Sequence, residues 1–201
     1  MSATPSTMLE LGTKAPDFSL PDVVSGRSIS IETFAGKKAL LVMFICQHCP
    51  FVKHVKAELA RLGRDYSRKD IGIVGISSND PAVSAEDSPE GLRRMVAEWG
   101  LSFPVCYDET QEVAKRYAAA CTPDLYLFDA ERRLVYRGQL DDSRPSNGKP
   151  VTCADIRAAI DAVLAGRDVN PHQVPSLGCN IKWRPGNAPA YFGGAAAARG
   201  R

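Results

Sequence analysis

Two cysteines with two residues between them, Cys46-Gln47-His48-Cys49-Pro50, are the part of this 201-residue chain whose types and spacing can do chemistry. A C-x-x-C pair has two usual uses, as a redox dithiol or as half of a metal site. In a dithiol the nucleophile is the thiolate, and an ordinary cysteine, with a pKa of about 8.5, is mostly protonated at neutral pH. A helix N-terminus changes this, because its unpaired N–H groups and partial positive charge stabilise an anion. The spacing also lets one sulfur reach the other and close a disulfide. Gln47, His48 and Pro50 would tune the redox potential, His48 by stabilising the thiolate when protonated or by relaying a proton. The plainer alternative for His48 is a surface loop residue.

The flanking elements must put the pair at such a terminus. Ala39-Leu40-Leu41-Val42-Met43-Phe44-Ile45 is a continuous apolar run bounded by turn residues, which predicts a strand buried on both faces. From Cys49 to about Tyr66 the period turns helical, with Val52, Val55, Leu59, Leu62 and Tyr66 on one face. Pro50 suits the first helical turn, which needs no internal N–H donor. The cysteines therefore fall where a buried strand meets its helix.

Further along, Ser28–Ile31 reads as a short strand and Ile71–Ser77 as a second buried one. Ser88-Pro89-Glu90 starts a helix that Gly100 ends. A strand is expected within 103–107 and a helix over Glu109–Ala120. Leu125–Asp129 and Arg133–Gly138 form a hairpin pattern, and Ala154–Leu164 a last helix with Thr152 as a plausible cap. Asp141-Asp142 reads as a solvated loop. Residues 1–10 read as a loose leader, 11–168 as the domain, and 169–201 as an irregular extension with a disordered end. The order predicts an α/β protein: a central sheet of parallel βαβ units and an antiparallel hairpin, with helices on both faces.

Composition excludes several functions. The chain is 44% hydrophobic and 24% charged with a net charge of +2, and shows no basic stripe of the nucleic-acid-binding kind. No apolar run is long enough to span a bilayer. No secretory signal opens the sequence, so a cytoplasmic location is expected. There, six cysteines are expected to be free, catalytic or metal-bound rather than a disulfide framework.

Residues 37–50 with Thr122-Pro123 resemble the thioredoxin superfamily, in which a C-x-x-C at a strand-to-helix junction faces a cis-proline loop. The resemblance implies the thioredoxin fold, a cis Pro123 beside the cysteines, and a Thr122 backbone that bonds an extended substrate peptide. Gly12–Asp22, Cys46–His54, Cys121–Asp124 and Pro175–Trp183 together resemble the alkyl-hydroperoxide-reductase and thiol-specific-antioxidant group, in its peroxiredoxin-like branch. In true peroxiredoxins a Thr stands three residues before the peroxidatic cysteine, a Pro further upstream, and an Arg on a later strand. Carried onto this chain, Cys49 takes the peroxidatic place, Cys46 the Thr place and Val42 about the Pro place. The Arg place falls near Pro123. Thioredoxin's buried acid would fall at about Leu40, which leaves His48 or His54 to move the proton.

The replacements favour thiol–disulfide exchange over fast peroxide reduction. Cys46, expected nearer the surface, would attack a substrate disulfide and Cys49 would resolve the mixed disulfide; peroxiredoxin logic gives the attack to Cys49. Partners would be a protein or small-molecule disulfide, or a peroxide, with an upstream thiol reductant and no cofactor. Cys121 and Cys179 could resolve an intermediate or take up its disulfide, or be small buried hydrophobes. Cys106 and Cys153 are expected to be packing residues. A rival of another class is a zinc or iron–sulfur site on Cys46, Cys49, Cys121 and Cys179, although only one tight pair is present. A third is a redox-inactive module that only presents peptides.

Overall fold

Ala39–Phe44, six residues without a polar side chain, forms the central strand of the molecule. The structure, a computed structural model, describes residues 3–192. The disordered end expected at 193–201 lies outside the described residues. In chain order the elements are β1 (Thr4–Pro5), β2 (Ser19–Pro21), β3 (Ser28–Ser30), β4 (Ala39–Phe44), α1 (Pro50–Tyr66), β5 (Ile71–Ser77) and α2 (Pro89–Trp99). There follow β6 (Val105–Tyr107), α3 (Glu112–Arg116), β7 (Cys121–Thr122), β8 (Asp124–Phe128), β9 (Leu134–Gly138), α4 (Ala154–Leu164) and β10 (Leu177–Asn180).

The main sheet has the order β6-β5-β4-β8-β9. β4, β5 and β6 run parallel, while β8 and β9 return antiparallel. Val42 pairs with Val74 on one side and Tyr126 on the other, so β4 has no free edge. Its side chains alternate between two cores, as a period of two requires. Leu41, Met43 and Ile45 join a core with α1, α2 and α4 residues, including Leu59, Leu62, Leu92 and Ile156. Leu40, Val42 and Phe44 join a second core with Phe18, Phe34, Tyr117 and Trp183. Each fully buried Leu of this kind contributes roughly 1.5–3 kcal/mol. The Leu40 position faces this second core and carries no acid.

α1 begins with Cys49 as its N-cap and Pro50 in the first turn. α2 has the predicted start and stop: the Ser88 Oγ accepts from the Gly91 N–H at 3.2 Å, and Gly100 ends it at φ 65°. α3 is shorter than the predicted 109–120 helix. Gln111 and Ala118 take positive φ at its two ends, and the Asp108 carboxylate accepts from the Ala114 N–H at 3.0 Å. The second face of the sheet is therefore covered mostly by the N-terminal segment and the C-terminal extension rather than by a long helix. The strand expected within 103–107 is confined to Val105–Tyr107.

Two ends of the chain differ from expectation. Residues 1–10 are not simply loose: β1 pairs antiparallel with β10, and the Ser6 N–H donates to the Ser176 carbonyl at 2.9 Å. The extension is likewise built in. β10 pairs with β1 and with β7, and Ile181 and Trp183 sink into the second core. Asp141 is not solvated. It is buried and accepts from the Thr152 and Cys153 N–H groups at 2.6 and 2.8 Å, which fixes the start of α4. Among the described residues no helix is long and apolar enough to cross a membrane.

Candidate active site

Where β4 ends, the chain turns once and enters α1, so Cys46 and Cys49 stand at the carboxyl end of the central strand. Open α/β sheets gather reactive groups at this end. Opposite them lies the loop between β7 and β8, in which the Thr122–Pro123 peptide is cis. Thr122 touches both sulfurs. The Cys46 Sγ lies 3.2 Å from the Thr122 hydroxyl, and the Cys49 Sγ lies 3.2 Å from the Thr122 carbonyl. Neither cysteine is exposed at all, at 0% each. The expectation that Cys46 lies nearer the surface is therefore corrected, because the Thr122 loop and β10 cover both sulfurs.

A third thiol completes the group. Cys179 is the Cα partner of Thr122 in the β10–β7 ladder and packs in the same core as Cys46 and Cys49. The thiols of Cys179 and Cys46 both act on Cys49. The Cys179 and Cys46 thiols, ahead of all else, draw the Cys49 pKa well below its ordinary value; burial opposes them, and the Thr122 hydroxyl and Val52 amide add to the shift. When protonated, Cys49 instead donates to the Thr122 carbonyl.

The same arithmetic raises the other two thiols. Burial pushes Cys46 up first, and the neighbouring Cys49 and the Asp87 charge push it further. Cys179 is raised chiefly by its bond to Cys49, then by burial. These directions favour a thiolate on Cys49 over one on Cys46 or Cys179.

Asp87 is the site residue that sequence reasoning missed. It sits at 0% exposure in a 3-10 turn, Ala85–Asp87, ahead of α2. Its carboxylate accepts from the Gln47 and His48 backbone N–H groups at 2.8 and 3.1 Å, from the Asn79 amide at 2.8 Å, and pairs with the His48 Nδ1. The Gln47 side chain, with its amide nitrogen turned inward, donates to the Glu86 and Gly91 carbonyls at 2.8 Å each. The start of α2 thus clamps the C-x-x-C loop. With Nδ1 engaged by Asp87, His48 keeps a buried Nε2 that has no partner among the described residues. One ring nitrogen of His48 lies within 4.8 Å of the Cys46 sulfur. His54 meets the Ser143 hydroxyl at 2.7 Å and lines the cleft beside Pro123.

Burial opposes ionisation of Asp87, but its bonds with His48 and Asn79 prevail and hold its pKa below the ordinary carboxylate value. The stability it contributes is thus present above about pH 4, the unfolded value, and is lost as pH falls through the folded one. Asp87→Asn is expected to flatten the acid loss of stability, seen as a weaker pH dependence of urea midpoints below about pH 4. At neutral pH it should cost about 1–3 kcal/mol through weakened buried hydrogen bonds. Unchanged acid unfolding would rule out this role.

The remaining candidates separate cleanly. Cys121 lies beside the site, but its thiol points to the Pro123 carbonyl at 3.7 Å, and burial, ahead of the Asp124 charge, raises its pKa. Cys106 and Cys153 are buried elsewhere and pushed by burial to about 12 each. The four-cysteine metal set is not assembled. Among the described residues the donors within 4.8 Å of one another are those of Cys46, His48 and Asp87, and the last two engage each other. The Thr122 edge expected to receive a peptide is taken by β10. Beside it a cleft is lined by Phe51, His54, Pro123, Leu140, Arg144 and Leu177.

A mixed sheet with a C-x-x-C at the β4–α1 junction, facing a cis-proline loop, defines a thioredoxin-fold protein with a buried thiol centre, and solved thioredoxin-like structures share the fold. The chain belongs to the AhpC/TSA family, whose model matches residues 11–137. It is similar to the thiol-disulfide oxidoreductase ResA of Bacillus thuringiensis, 25% identical over 66% of this chain and 71% of that protein. It is also similar to a putative peroxiredoxin of Mycobacterium tuberculosis, 27% identical over 61% of this chain and 73% of that protein. A solved structure of an uncharacterized conserved protein from Geobacillus kaustophilus is 55% identical, with a TM-score of 0.90 over 92% of this chain and 98% of that one.

Proposed function

We propose that the protein is a thiol–disulfide oxidoreductase in which Cys49 provides the thiolate and Cys46 the second thiol. The observation that carries this reading is the position of the Cys49 sulfur, at the N-cap of α1 and among the thiols of Cys46 and Cys179. In one turnover the Cys49 thiolate attacks a substrate disulfide and releases one thiolate, leaving a mixed disulfide. Cys46 then attacks the Cys49 sulfur and releases the second thiol. The product is a Cys46–Cys49 disulfide, and an upstream thiol reductant restores the dithiol. His48 is the proposed acceptor of the Cys46 proton. Because both sulfurs are covered, each encounter needs a local opening at the Thr122 loop or β10. The proposed substrate is a protein or small-molecule disulfide and the proposed setting the cytoplasm, where thiols stay reduced between turnovers.

A second reading, a thiol peroxidase with Cys49 as peroxidatic cysteine, draws on the charge at Cys49 and on the small size of a peroxide. Against it stand the missing polarising groups. Cys46 occupies the threonine place, and the buried Arg137 is engaged by Asp124. The deciding experiment compares reduction of a small disulfide with consumption of hydrogen peroxide for wild type and Cys46→Ser. Disulfide reduction that slows in Cys46→Ser, with slow peroxide consumption in both, is expected. Rapid peroxide turnover that survives the substitution would overturn the disulfide reading in favour of the peroxidase.

A further inference from the structure

The edge of a sheet beside a reactive thiol is where an extended peptide adds as an extra strand, its main chain giving affinity. Here the edge at Cys121–Thr122 is occupied by the chain itself. β10 runs antiparallel to it, with Cys179 opposite Thr122 and Asn180 opposite Cys121. The fit is close. A Cβ added at Gly178 would stand 1.9 Å from the Thr122 carbonyl oxygen, so only glycine lets the strand lie on the cis-proline loop. On one side of Cys179, Ser176 donates to the Gly138 carbonyl at 2.8 Å. On the other, the Lys182 N–H donates to Asn79 at 2.8 Å, and Ile181 and Trp183 are buried. The strand is held at both ends, and the residue it delivers against the dithiol is a cysteine.

The geometry points to Cys179 as a third redox cysteine, presented to Cys49 by the chain's own strand in the position of a bound substrate peptide. This rests on the dithiol reading above. Starting from the Cys46–Cys49 disulfide left by a turnover, the Cys179 thiolate attacks the Cys49 sulfur. The Cys49–Cys179 bond forms and the Cys46–Cys49 bond breaks. Cys46 leaves as a thiolate and takes up the proton that Cys179 gave away. No electrons enter or leave, so no further oxidant is needed. The charge on Cys49 that holds the Cys179 proton in place is absent once Cys49 is in a disulfide, while Lys182 continues to favour the Cys179 anion. The oxidised protein would thus store its disulfide between Cys49 and the strand, with Cys46 free.

The test uses the full chain with Cys46→Ser, oxidised with diamide, alkylated and mapped by mass spectrometry of non-reduced peptides. A Cys49–Cys179 linkage as the main product is expected, and wild type should give this linkage beside Cys46–Cys49. Cys46→Ala serves as a second variant should serine disturb the fold. Cys49 and Cys179 both remaining free in folded Cys46→Ser and Cys46→Ala would overturn the proposal. Gly178→Val, which forces the strand off Thr122, should cut the linkage and speed Cys49 alkylation by about tenfold or more, as local opening exposes the thiol. An undiminished linkage in Gly178→Val would overturn presentation by the strand. Because the linkage is read in variants without a dithiol, its absence counts against Cys179 alone. A wild type that forms it yet reduces no disulfide would count against the dithiol function.

Discussion

Cys49→Ser is expected to remove disulfide reductase activity, lowering kcat/KM by about a thousandfold or more, the scale on which losing an activated nucleophile acts. A serine hydroxyl cannot ionise in this site at neutral pH, so the attacking anion is lost. Cys46→Ser should differ in kind. The Cys49 thiolate persists and the first exchange step still occurs; Cys179 is then the thiol left to resolve it, and Cys46→Ser combined with Cys179→Ser is the variant expected to stall as a mixed disulfide that gel electrophoresis without reductant reveals. Steady-state kinetics on both variants check the pair. Full activity in Cys49→Ser would remove the basis of the assignment.

The second large effect is on stability. Arg137 and Asp124 form an ion pair with both side chains at 0% exposure, Arg137 Nη2 donating to Asp124 Oδ2 at 3.0 Å. The guanidinium also lies 3.9 Å from the Tyr126 ring centroid. Removing one partner leaves an uncompensated buried charge, which costs about 3–5 kcal/mol. For a chain of this size that is a fall in Tm of roughly 6–20 °C for Arg137→Leu. Replacing both, with Asp124→Leu and Arg137→Leu, should recover much of the loss, because the orphaned carboxylate is then gone. Calorimetry on the three variants decides it. A double variant no more stable than Arg137→Leu would show that the cost lies in packing, not in the unpaired charge. Asp124 follows Pro123 directly, so the pair also anchors the loop that faces the dithiol.

How much of this was legible in the sequence depended on range. β4 and α1 followed from a six-residue apolar run and a three-to-four periodicity, both local signals that hold wherever the segment sits. The caps of α2 followed from single residues, Ser88 and Gly100, whose chemistry is equally local. The resemblance carried by Thr122-Pro123 brought that loop to the cysteines. Asp87 was not legible: an acid in a turn-rich loop looks like any other, and its role arises only when the start of α2 folds against the C-x-x-C loop. β10 was missed because Leu-Gly-Cys-Asn is too short to show a period, and its partners at Thr4–Pro5 and Cys121–Thr122 are remote in sequence. Which cysteine favours the charge also depends on remote residues. Spacing alone favours the first cysteine of a C-x-x-C, whereas Cys179 and Asp87, contributed from elsewhere in the chain, favour Cys49 and disfavour Cys46.

The central claim, that the reduced protein keeps its thiolate on Cys49, is tested most directly by following ultraviolet thiolate absorbance against pH in wild type, Cys46→Ser and Cys49→Ser. The expected result is one thiolate titrating well below the ordinary range of about 8–9 for cysteine in wild type. It should be retained in Cys46→Ser and lost in Cys49→Ser. A low-pH thiolate that survives Cys49→Ser and disappears in Cys46→Ser would contradict the claim and return the attack to Cys46.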